Sequence, residues 1–138
     1  MMFNKFSKDL DCVEQLRKDF VSDFPRDTLM NMTLEQYAMG HGDKHNFCYR
    51  LEYEQDGMGR ISSSRAGSQK YGVWFDKKKG EYIFTKKYGS SVNDAFNNVK
   101  SEIIKLLRAG EDENFTIIEK SPIAELVKYK LLAVGMDV

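Results

Sequence analysis

The sequence predicts an α+β domain: a small, largely antiparallel sheet of three to four strands with helices packed on one face. Three observations carry that expectation. Residues 46–53 and 70–75 alternate in polarity, placing Phe47, Tyr49, Leu51 and Tyr53, then Tyr71, Val73 and Phe75, on one side of an extended chain. Asp76-Lys77-Lys78-Lys79-Gly80 is a short polar turn with a glycine, followed by a third β-rich run over residues 81–85, so the last two runs read as a hairpin. On both sides of this block apolar residues recur every three and four positions, the period of amphipathic helices. At 138 residues, 41% of them hydrophobic, the chain suits one domain spanning residues 1–138 around one core.

In chain order, residues 7–24 form the first predicted helix, with Leu10, Val13, Leu16, Phe20 and Phe24 in one stripe. Ser7 is its expected N-cap, followed by Asp9 and Asp11 where the helix dipole favours acids. Pro25 ends it and can open a second short helix bearing Leu29, Met30 and Met32. Thr33-Leu34-Glu35-Gln36 matches a capping box, which predicts a further short helix through Met39, closed by Gly40 and Gly42. The strands follow. Ser90 or Ser91 then caps a long helix to about Ala109, burying Val92, Ala95, Phe96, Val99, Ile103, Leu106 and Leu107, with Gly110 closing it. Residues 115–118 read as a short strand or extended segment. Pro122 opens a final helix with Ile123, Leu126, Val127 and Leu131 on one side. Its apolar run Leu131-Leu132-Ala133-Val134 lies four residues from the last one, which leads us to expect a fragment of a longer protein.

Composition removes several function classes. No apolar run approaches the ~20 residues of a membrane span, and the first residues, MMFNKFSKDLD, lack the apolar core of a secretory signal. Cys12 and Cys48 form no CxxC pair and read as free thiols of a cytoplasmic protein. His41 and His45 have no cysteine or carboxylate cluster beside them, so no metal site is expected. There is no GxSxG, HExxH or GxxxxGK[ST], and Gly57-Met58-Gly59-Arg60 lacks the third glycine of a nucleotide loop. Glu52, Glu54 and Asp56 read as an exposed polar face. The expectation is a chain that is not itself an enzyme and carries no cofactor.

What remains is charge. Lys plus Arg and Asp plus Glu are equal at 21 each, but residues 60–89 hold 8 basic residues against 2 acidic ones. That block coincides with the long loop between the first two predicted strands and with the hairpin, and it points to an anionic partner. Loop glycines let a backbone approach a phosphate, and Ser62, Ser63, Ser64 and Ser68 supply hydroxyl donors. Arg60 and Arg65 carry forks that suit phosphate or a guanine edge. Lys70, Lys77, Lys78, Lys79, Lys86 and Lys87 surround them as point charges. Tyr88 and Trp74 are the candidate base-stacking rings. Trp74 lies on the opposite face of its strand from Val73, and the expected central place of that strand favours a core role for it.

The segments FCYRLEY (residues 47–53), GRISSSRAGS (59–68) and KYGVW (70–74) resemble the N-terminal region of McrB-like restriction proteins of the AAA+ class. There an "FxYWLE" segment precedes a Gly/Ser-rich turn and "KFGIY". Phe24-Pro25, Leu34-Glu35-Gln36-Tyr37 and Lys130-Leu131-Leu132-Ala133 extend the likeness over about residues 20–134. Arg50 stands where an aromatic is common, and Ser62-Ser63-Ser64 where glycines are common. The resemblance implies a bacterial phage-defence module that recognises DNA, often with a modified base. It implies further partners: an AAA+ motor in the same polypeptide and a separate nuclease subunit. The alternative from the sequence is a module that docks a partner subunit or phage component without nucleic acid.

Overall fold

A computed structural model describes residues 2–42, 44–54 and 67–134. Helix α1 spans Met2–Asp23, so Ser7 lies inside the helix instead of capping it. Two short helices follow, α2 (Arg26–Asn31) and α3 (Leu34–Tyr37). The capping box is formed: Gln36 N donates to Thr33 Oγ1 at 3.2 Å, and Thr33 N to Gln36 Oε1 at 2.9 Å. The box starts only one turn, and the chain leaves the helix at Ala38.

The first predicted strand is helical. Residues Phe47–Tyr49 form α4, which continues as a π-helical turn over Arg50–Glu54. Asn46 starts it, its side-chain oxygen accepting from Tyr49 N at 2.7 Å. The residues that go inside are Phe47, Cys48, Leu51 and Glu52. That is a one-four-five pattern of a helix face, not the two-residue alternation of a strand. Tyr53, expected inward, is exposed.

Residues Gly67–Tyr71 form a 3-10 turn, and strand β1 begins only at Val73 (Val73–Asp76). Gly72 makes the change of direction. Its φ is +84°, and a Cβ there would stand 2.5 Å from Val99 Cγ2 and 3.0 Å from the Tyr88 ring. Strand β2 spans Glu81–Phe84 and pairs antiparallel with β1 in the register Val73↔Phe84, Trp74↔Ile83, Phe75↔Tyr82, Asp76↔Glu81. The hairpin is as expected, but among the described residues the sheet has two strands, not three or four. A 3-10 turn (Lys86–Tyr88) leads to α5 (Val92–Glu111), capped by Ser91, whose side chain accepts from Asp94 N at 3.2 Å. Residues 115–118 are not extended either. Asn114 caps α6 (Phe115–Lys120), with Ile117 N donating to its side chain at 3.3 Å. Helix α7 spans Glu125–Val134.

Helix α5 is the spine. It packs against β1, β2, α2, α6 and α7, burying Ala95, Phe96, Val99, Ile103, Leu106 and Leu107. An aromatic centre joins four helices: Phe47 of α4 lies 5.4 Å from Phe20 of α1 and 5.7 Å from Tyr37 of α3, and Tyr37 lies 5.4 Å from Phe96 of α5. The architecture is α+β, mostly helical, with the hairpin on one flank of α5.

Candidate nucleic-acid interface

The tip of the hairpin is shaped by Asp76. Its Oδ1 accepts from Lys78 N at 2.9 Å and Lys79 N at 3.2 Å, and its carbonyl accepts from Gly80 N at 2.8 Å. Gly80, at φ +66°, completes the turn. The carboxylate is therefore spent on the backbone, while Lys77 reaches back until its Nζ lies 3.2 Å from where a Cβ on Gly42 would stand. The side chains of Lys77, Lys78 and Lys79 are all exposed, and among the described residues none has an ion-pair partner.

Residues 39–42 lie along the outer edge of β1. Phe75 N donates to Met39 O at 2.9 Å. Gly40 passes so close that a Cβ would stand 2.0 Å from Phe75 O. The exposed His41 ring then stacks on Phe75, with centroids 3.8 Å apart and 19° between planes. Its Nε2 is 2.7 Å from the Tyr82 hydroxyl, and Tyr82 meets Phe75 edge-on at 5.2 Å. These three rings were not among the residues expected from sequence. Only the cross-strand pairing of Phe75 with Tyr82 could have been read from a hairpin register.

Trp74 and its cross-strand partner Ile83 occupy the other face of the hairpin from Val73 and Phe84. Val73 is fully buried, whereas Trp74 is half-buried and stands outside the core cluster. The expected core position of Trp74 is not what the fold provides, because β1 belongs to a two-stranded sheet with α5 on one side.

At the other end of β2, Lys86 is exposed. Lys87 Nζ donates to Pro122 O at 2.7 Å and sits 5.1 Å from the Tyr88 ring centroid. Tyr88 is buried, its hydroxyl 3.3 Å from Pro122 O, and burial pushes its pKa up to about 12. It packs against the helices and offers no face for stacking.

Lys70 also sits apart from the surface set. Its ammonium lies 2.8 Å from Glu52 Oε1, with side chains 3% and 8% exposed. Tyr71 OH donates to Glu52 Oε2 at 2.6 Å. Lys130 Nζ reaches Glu52 O at 3.0 Å from α7, and Tyr37 OH donates to Tyr71 O. Glu52, expected on an outer polar face, is the centre of a buried network. Cys48, one turn before it, is enclosed as well, and burial holds its thiol well above the usual range.

Arg60, Ser62, Ser63, Ser64 and Arg65 lie outside the described residues, as does the side chain of Ser68. Among the described residues no three His, Cys, Asp or Glu are grouped to hold a metal ion, and no helix is long and apolar enough to cross a membrane. No family model, curated protein or solved structure matches the chain.

Proposed function

We propose that this chain is a DNA-binding recognition module, one that in a McrB-like defence system would bring an AAA+ motor and its nuclease partner to DNA. One observation carries the reading: the Lys77-Lys78-Lys79 turn, shaped by Asp76, presents three exposed lysines that have no ion-pair partner among the described residues, beside the half-buried rings of Trp74 and Phe75. Lysines in this setting bind phosphates as point charges, and each phosphate contact steepens the loss of affinity with salt. The resemblance over residues 47–74 supports the choice of DNA and of the defence system. Fluorescence anisotropy with methylated and unmethylated duplexes and with single strands, at low and moderate salt, tests the reading. Reversing Lys77, Lys78 and Lys79 to Glu should weaken binding to all sequences and flatten the salt slope by roughly three. Reversing the exposed Glu111 and Asp112 should not weaken it. Absence of binding to any of these nucleic acids rejects the reading.

A second reading, docking of a partner protein, has its own observation. Phe115, Leu126 and Tyr129 on α6 and α7 are 69%, 42% and 60% exposed. The double variant Phe115→Ser, Tyr129→Ser should then release a purified partner subunit while leaving DNA affinity unchanged.

A further inference from the structure

We propose that His41 is a stacking platform for an unpaired nucleobase, with Lys77 holding the adjoining phosphate. Resting on the nucleic-acid reading above, the proposal names the ligand class more narrowly: a strand with accessible base faces, not the interior of a duplex.

The geometry is that of a ring fixed in advance. One face of the imidazole lies on Phe75 at 3.8 Å, and one edge is tied to the Tyr82 hydroxyl at 2.7 Å. The residue is nonetheless exposed, so its free surface is the outer face. Both neighbours are glycines. At Gly40 a Cβ would collide with the Phe75 carbonyl, and at Gly42 the backbone runs at φ +87°. Neither position carries a side chain to screen the imidazole.

The phosphate side follows from Lys77. Its Nζ lies 3.2 Å from where a Cβ on Gly42 would stand, one residue from the ring. On the Tyr82 side, burial first and the charge of Glu35 second hold the hydroxyl above its usual pKa. A carboxylate there repels a phosphate, leaving the Lys77 side as the favourable one. A flat aromatic face beside an ammonium matches one nucleotide, base on the ring and phosphate on the cation. Inside a duplex every base face is already covered by its neighbours.

The test uses the whole chain with labelled 12-nucleotide single strands of DNA and RNA, a blunt duplex of the same sequence and a mononucleotide competitor. His41→Ala should weaken single-strand binding about 5- to 100-fold, the range of aromatic-to-alanine changes at stacking sites. Duplex binding should stay within twofold, and His41→Phe should retain single-strand affinity. Preference for the DNA or the RNA strand, or competition by the mononucleotide, identifies the source of the same base-plus-phosphate ligand. Lysine-dependent duplex binding with no effect of His41→Ala on single strands overturns this proposal and leaves the nucleic-acid reading standing. No binding of the parent chain to any strand overturns both.

Discussion

Glu52 shows how little a single side chain's character says about its place. Read as one of three exposed acids, it lies instead between Lys70, Tyr71 and, through its carbonyl, Lys130. A buried ion pair of this kind is costly to break from one side, because the surviving charge has no solvent to compensate it. Glu52→Gln and Lys70→Met singly should each cost about 3–5 kcal/mol in urea unfolding, and the double variant should recover much of the loss. Losses that simply add would show that the two residues act independently. The two thiols separate along the same line. Cys12 is exposed, whereas Cys48 is buried with its thiolate disfavoured. A thiol-reactive dye should label one cysteine in the native protein and two in denaturant, and Cys12→Ser should abolish the native signal.

Among the elements, the hairpin, the capping box at Thr33 and the long helix after Ser91 were legible because each is announced by local chemistry: a polar turn with glycine, a reciprocal cap, a side-chain acceptor at the first turn. Residues 46–53 were not. Their Phe, Tyr, Leu and Tyr at every second place imitate a strand, yet Asn46 caps a helix and Cys48 and Glu52 supply the rest of its buried face. Burial of a carboxylate can be foreseen only with knowledge of Lys70 and Tyr71, which are far along the chain. Residues 115–118 misled for a related reason: Phe115 is exposed, so the apolar run has no buried face to pattern it. Thr33→Ala should cost about 1 kcal/mol by loss of the cap. Gly72→Ala should cost more, roughly 2–3 kcal/mol, since it adds left-handed strain to overlap with Val99 and Tyr88. A melting temperature unchanged by Gly72→Ala would mean that α5 and the 3-10 turn can separate there.

For the whole molecule, the described part of the basic block divides between surface and interior. The hairpin lysines face solvent, while Lys70 and Tyr88 belong to the interior, and the ring stack at His41 depends on a contact between residues 41 and 75 that no local pattern reveals. The buried hydroxyls and thiol also set a pH dependence. Burial raises the folded-state pKa of Cys48, Tyr37 and Tyr71. Their contribution to stability is complete below the unfolded values, about 8.5 for a thiol and 10 for a phenol, and is lost as pH rises beyond them. The melting temperature should therefore fall between pH 8 and pH 10.5, and less so in Cys48→Ala. The Glu52–Lys70 pair has one more consequence. It joins the two ends of the stretch between them at 2.8 Å, so the chain in between is closed at its base whatever its composition. Closure of such a stretch becomes only about 0.6 kcal/mol costlier for each doubling of its length. Insertions between positions 52 and 70 should therefore cost little in urea unfolding as long as Glu52 and Lys70 keep their contact.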